Sequence, residues 1–127
     1  MLSWVILDYV TFGGRNVIRE WLDEIPVAAM AAIDNRLLTM SALPRWSEKW
    51  VSKYRGTKEI YEFRIPHNKV QYRPLGTYFG PRRYVLLRGA IEKNGRIPTG
   101  DIESAEHRIT DLRNGLANVQ LHQFDGA

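Results

Sequence analysis

Glu59-Ile60-Tyr61-Glu62-Phe63-Arg64-Ile65-Pro66-His67-Asn68-Lys69-Val70-Gln71-Tyr72-Arg73-Pro74-Leu75 is the stretch on which the fold turns. Up to Ile65 it alternates: Tyr61, Phe63 and Ile65 share one face, Glu62 and Arg64 the other. Pro66-His67-Asn68-Lys69 reads as a turn, and Val70 to Leu75 as a returning strand with Val70 and Tyr72 apolar and Gln71 and Arg73 opposite. Matching the apolar faces across a four-residue loop pairs Ile65 with Val70, Phe63 with Tyr72, Arg64 with Gln71 and Glu62 with Arg73. A slip of one residue would turn every side chain to the wrong face. The register therefore predicts Glu62, Arg64 and Arg73 in one patch. Pro74 lacks an amide proton, so the return strand bends, bulges or lies at an edge there.

Working outward, Trp4 to Val10 is β-branched and aromatic and reads as a first strand ended by Gly13-Gly14. Asn16 is placed to cap a short helix whose stripe is Val17, Trp21, Leu22 and Ile25. Pro26 suits the first turn of a second helix, with Met30, Ile33, Leu37, Leu38 and Leu43 on one side and Asp34, Asn35 and Arg36 on the other. Pro44 stops it. Trp46 to Arg55 leads into a strand closed by Gly56. Beyond Gly80-Pro81, Tyr84 to Ile91 is almost continuously apolar, as in a central strand covered on both faces. Pro98-Thr99 opens a last helix with the stripe Ile102, Ala105, Ile109, Leu112 and Leu116. The fold expected is α+β: strand, helix, helix, a three- to four-strand antiparallel sheet, then a C-terminal helix, with the helices on one sheet face. One domain spans 1–116, followed by a weakly patterned tail, 117–127, with no clear reason to be ordered.

Composition narrows the classes. At 127 residues, 44% hydrophobic and 25% charged, the chain matches one globular domain. It has no cysteine, which excludes disulfides, thiol nucleophiles and cysteine-based metal sites and suits a cytoplasmic setting. Asp8 cuts short the first apolar run, which has no cationic start, so it does not read as a signal peptide. No run approaches the ~20 apolar residues of a membrane span.

Charge is the strongest functional pattern. Arg45 to Arg96 holds thirteen of the eighteen Lys and Arg residues but only four of the fourteen acids. Aromatics interleave with these cations, as in Lys53-Tyr54-Arg55, Gln71-Tyr72-Arg73 and Arg82-Arg83-Tyr84. Such a sheet suits RNA or single-stranded nucleic acid, whose phosphates need cations and whose bases stack. A solvated cationic coat with no partner reads equally well from charge alone. His67, His107 and His122 are too scattered for a metal site and read as surface residues, with His67 placed in a turn where it can touch phosphate or base.

Four stretches resemble the RelE/HigB-like toxins of bacterial type II toxin–antitoxin systems, in their phage-derived HigB-like branch. They are Arg19-Glu20-Trp21-Leu22-Asp23-Glu24-Ile25, Lys58-Glu59-Ile60-Tyr61-Glu62-Phe63-Arg64, Val70-Gln71-Tyr72-Arg73, and Val85-Leu86-Leu87-Arg88-Gly89-Ala90-Ile91-Glu92-Lys93 through Pro98 and Ile102 to Ala105. The resemblance implies a RelE-like fold, an endoribonuclease that cuts mRNA on the ribosome, and a helix-turn-helix antitoxin as partner. It implies no cofactor and no membrane. The chain departs from the pattern at Asn94, at Pro74, and at Leu112-Arg113-Asn114, where some members carry a catalytic His or Tyr.

Cleavage by 2′-OH attack needs a base, cations on the phosphorane, and a proton for the leaving oxygen. The catalytic candidates are Arg64, Arg73 and Lys93 on the phosphate, because a guanidinium fork holds two phosphate oxygens and stays charged. Glu62 is the candidate base, or else the structural partner of Arg73. Tyr78, Tyr84 and Trp50 are stacking candidates or core. RNA-binding candidates are Lys53, Arg55, Lys58, His67, Lys69, Arg82, Arg83 and Arg96. The rival readings are a non-catalytic RNA-binding module of phage origin and a protein module whose basic groove takes an acidic antitoxin segment.

Overall fold

The computed structural model describes residues 3–57 and 59–127, so the candidate Lys58 lies outside the described residues. The chain runs β1 (Val5–Thr11), α1 (Val17–Glu24), α2 (Val27–Ala42), β2 (Val51–Lys53), β3 (Tyr61–Phe63), β4 (Ile65–His67), β5 (Val70–Tyr72), β6 (Leu75–Tyr78), β7 (Arg83–Arg88), α3 (Thr99–Arg113) and β8 (Ala117–Leu121). The α+β class stands. Among the described residues the main sheet has six strands rather than three or four, in the order β2-β3-β6-β7-β1-β8, beside a two-stranded ribbon β4-β5. The sheet is mostly antiparallel, but β1 and β7 run parallel, with Ile6 beside Tyr84 and Leu7 beside Val85.

That parallel pair organises two cores. Side chains alternate across a strand, so Ile6, Tyr84 and Leu86 face α1 and α2, where Ile18, Leu22, Ile33 and Leu37 meet them. Leu7, Tyr9, Val85 and Leu87 face α3 through Ile102, Ala105 and Ile109. The helices therefore cover both sheet faces, not one. The unbroken apolar run of β7, buried from Tyr84 to Leu87, is what two covered faces require.

Local signals are mostly obeyed. The Asn16 side chain accepts from the amides of Ile18 and Arg19 and caps α1. α2 begins just after Pro26 and ends two residues before Pro44. Two departures in α2 matter: Asp34, expected on the solvent side, is fully buried, and Leu38, expected in the core stripe, is exposed.

The hairpin is tighter than expected. Asn68 and Lys69 both take positive φ (48° and 66°), which makes a two-residue turn. Ile65 then faces Tyr72 and His67 faces Val70, two residues out of the expected register. A shift of two keeps every side chain on its face, so the alternation is right where the pairing is not. The chain breaks at Arg64 and at Arg73-Pro74, so β3 leaves the ribbon and joins the main sheet with Glu62 opposite Leu75, not Arg73. Pro74 marks this bend, with its carbonyl accepting from the Phe63 amide at 3.0 Å. The weakly patterned segment after the last helix supplies β8, which pairs along β1 from Ala117 to Leu121.

Candidate functional site

On the α3 side of the sheet, β2, the end of β3 and the loop after β7 enclose an open groove of about 630 Å³. β2 and its exit supply Lys53, Tyr54 and Arg55. β3 supplies Glu62 and then Arg64, and the loop supplies Glu92, Gly95, Arg96 and Ile97. The strand period explains the composition: Phe63 points into the α1–α2 core, so Glu62 must point the other way. Five of the candidates from the sequence meet here, namely Lys53, Arg55, Glu62, Arg64 and Arg96.

The groove holds four cations against two carboxylates. Glu62 is nearly buried and accepts from Arg64 Nε at 3.2 Å, while the Arg64 side chain is 46% exposed. Lys53, Arg55 and Arg96 are exposed and enter no ion pair among the described residues. A shallow wall carrying an excess of free cations, with one low-exposure carboxylate behind them, can hold a phosphate and present a base to a neighbouring hydroxyl.

Arg73 is not where the register put it. It is buried, pairs with Glu92 at 2.9 Å, and donates to the Tyr72 carbonyl at 3.3 Å and to Gln71 Oε1 at 3.2 Å. Its charge is spent on fixing Glu92 at the groove wall, not on solvent-facing phosphate. Lys93 is exposed at the base of a tight turn and does not line the groove; its amide and carbonyl pair with Arg96 across Asn94 and Gly95, both at positive φ. Asn94, in the place where the resemblance expects a second cation, is thus a turn residue that tolerates this backbone.

The remaining candidates lie elsewhere. His67 and Lys69 belong to the β4-β5 hairpin. Arg82 and Arg83 sit at the β6-β7 turn, where Arg82 donates to the Pro44 carbonyl at 3.1 Å and lies 5.8 Å over Trp4. Of the stacking candidates, Tyr84 is fully buried, Trp50 is covered by Arg36 at 4.9 Å, and Tyr78 is exposed. Four wall residues are not among the candidates from the sequence: Glu92, Tyr54, Gly95 and Ile97. Tyr54 is part-buried in the groove between two cations, and the motif Lys53-Tyr54-Arg55 was its signal.

His122 overturns its reading as a surface residue. It is buried, with Nδ1 2.7 Å from Asp8 Oδ1 and Nε2 2.7 Å from Asp34 Oδ1. Burial opposes its charge, but hydrogen bonds and attraction from Asp34 and Asp8 outweigh that and raise its pKa to about 9. Asp8 also accepts from Asn16 Nδ2, and Asp34 from the Gly126 amide, both at 2.9 Å. Among the described residues no group of three His, Asp or Glu is arranged to hold a metal ion. No helix is long and apolar enough to cross a membrane.

A family model described as phage-derived protein Gp49-like (DUF891) matches residues 20–110. The span contains every groove residue and ends short of β8 and His122. No curated protein and no solved structure matches the chain.

Proposed function

As the chain belongs to the Gp49-like family of phage-derived proteins, typically associated with toxin–antitoxin modules, we propose that it is the toxin of such a module and an mRNA endoribonuclease. The observation that carries this reading is the groove, where four cations surround Glu62 on an open sheet face. A single RNA strand lies along it with a phosphate against Arg64 and Arg96 and a base against Tyr54. Glu62 takes the proton of the 2′-hydroxyl, and the 2′-oxygen attacks phosphorus as the bond to the 5′-oxygen breaks. The leaving 5′-oxygen is protonated from solvent at the open mouth. The products are a 2′,3′-cyclic phosphate and a 5′-hydroxyl. Arg64 stabilises the charge gathered on the phosphorane, a contribution worth on the order of a hundredfold in rate. Arg73 acts as a positioning residue for Glu92. The reaction needs no metal, the message is met on the ribosome, and the neutralising partner is a helix-turn-helix antitoxin.

Inducible expression in bacteria with mapping of mRNA 5′ ends tests this. Growth arrest with new 5′ ends inside translated messages is expected, and both are lost with Arg64→Ala. One observation favours a second reading: Glu62 and Glu92 are each already paired, with Arg64 and Arg73. A non-catalytic RNA-binding protein would bind RNA in a salt-dependent way and leave no new ends.

A further inference from the structure

A second cavity, of about 220 Å³, opens between the β1–α1 loop, α1, the end of β7 and α3. Three guanidinium groups reach it, each fixed by a different device. Arg15 is forked onto Glu20 at 2.9 and 2.6 Å. Arg88 presents both Nε and Nη2 to Asp101 Oδ1, each at 2.9 Å. Arg108 donates from Nη1 to the Leu87 carbonyl at 2.6 Å and lies 5.3 Å over the Tyr9 ring. The wall is Trp21, packed so closely on Gly89 that a Cβ at that position would fall 1.8 Å from the ring.

The three arginines are not equally compensated. Arg15 and Arg88 each have a carboxylate, whereas Arg108 is part-buried and takes part in no ion pair among the described residues. Burial and then the neighbouring Arg88 lower its pKa, with Arg15 adding to this, against the opposing pull of Tyr9 and Asp101. A part-buried cation facing two more cations is costly unless an anion completes the set. The anchors at Leu87 and Tyr9 hold Arg108 in place before any ligand arrives, which lowers the entropy lost on binding. At about 220 Å³ the space is smaller than the roughly 300–1,000 Å³ of drug-sized sites. That suits a single phosphate group.

We propose that this cavity binds a phosphate, carried either by a free nucleotide or by the backbone of an RNA strand. The inference does not rest on the nuclease reading, because none of these residues lines the groove. Glu20 and Glu24 line the same cavity and oppose added negative charge, so they limit its affinity.

The test is calorimetric titration of the full chain with inorganic pyrophosphate, with adenosine 5′-monophosphate, and with a single-stranded RNA 12-mer. Saturable binding of at least one ligand is expected. It should weaken about tenfold or more in Arg108→Gln, about tenfold in Arg15→Gln, and tighten in Glu24→Gln. Arg15 is largely exposed, so its variant reports binding even if Arg108→Gln loses its fold. Losses confined to the 12-mer identify a backbone phosphate, and losses shared by the two small ligands identify a free one. Absence of saturable binding by all three ligands overturns the proposal. So does binding that falls in Arg64→Ala but is unchanged in Arg15→Gln and Arg108→Gln.

Discussion

The groove and the Asp8–His122–Asp34 chain both gather ionisable side chains from distant parts of the sequence, yet they differ in who supplies the counter-charge. In the buried chain every polar atom is answered from within: the imidazole by two carboxylates at 2.7 Å, Asp8 by Asn16 and Asp34 by Gly126. In the groove, Lys53, Arg55 and Arg96 have no ion-pair partner among the described residues. A closed set of charges holds a fold together, whereas an open set waits for a ligand. The family match covers the groove and Asp34 and ends before His122.

Breaking the closed set should have the largest effect. His122→Ala leaves two buried carboxylates facing one another with nothing between them. A loss of about 3–5 kcal/mol of stability is expected in urea unfolding. A loss below about 1 kcal/mol would mean that the C-terminal segment is not held this way.

A pH titration sharpens the same point. The folded pKa of His122, about 9, lies above its ordinary 6.5, so the folded state holds its proton more tightly than the unfolded chain. That contribution is complete below about pH 6.5 and is lost as pH rises through 9. The urea midpoint of the wild type should therefore fall over this window, by a stability on the order of 3 kcal/mol. The difference between wild type and His122→Ala should shrink in parallel. Equal slopes for the two proteins would show that His122 is not the titrating group.

Arginines 64 and 73 carry the comparison into the groove itself. Arg73→Ala removes a buried cation and strands Glu92, so roughly 2–3 kcal/mol of stability should go with it. Arg64→Ala removes a half-exposed cation at the mouth. It too leaves a nearly buried carboxylate, Glu62, without its ion pair, so stability should fall by about 1 kcal/mol while RNA cleavage falls on the order of a hundredfold. If both variants lose activity without losing stability, Arg73 belongs to the open set after all.

The sequence made the groove more legible than the buried chain, for a physical reason. Alternation is a local property, so the placing of Glu62 and Arg64 opposite Phe63 could be read from five residues and survived a register shift of two. The shift has no local signal, because a two-residue turn usually announces itself with glycine, and here Asn68 and Lys69 adopt the left-handed backbone without one. Arg73 was misplaced by the same error. The Asp8–His122–Asp34 contacts span 114 and 88 residues, and nothing local marks a histidine near the C-terminus as buried. Asp34 reads as solvent-facing because a carboxylate on a helix usually is. The apolar run of β7 reads as a strand covered on both faces, yet grouping the helices on one face follows from the element order, because the parallel pairing of β1 with β7 that puts α3 on the other face leaves no local trace.

The smallest expected effect is also the finest test of whether the open set is a place or merely a charge. Lys53 and Arg83 are both exposed cations at strand ends, but Lys53 lines the groove and Arg83 stands at the β6-β7 turn. Each phosphate contact to a single strand adds roughly 0.7 to the slope of log affinity against log salt. Removing a contacting cation should lower that slope by nearly one contact, and removing a distant one should leave it almost unchanged. Lys53→Ala is therefore expected to flatten the salt dependence of RNA binding, while Arg83→Ala, with the same change in net charge, keeps it. Equal slopes in the two variants would mean that RNA responds to the basic sheet as a whole. The distinction between a groove that binds and a surface that is merely cationic would then fail at the groove, while the buried chain keeps its defined task.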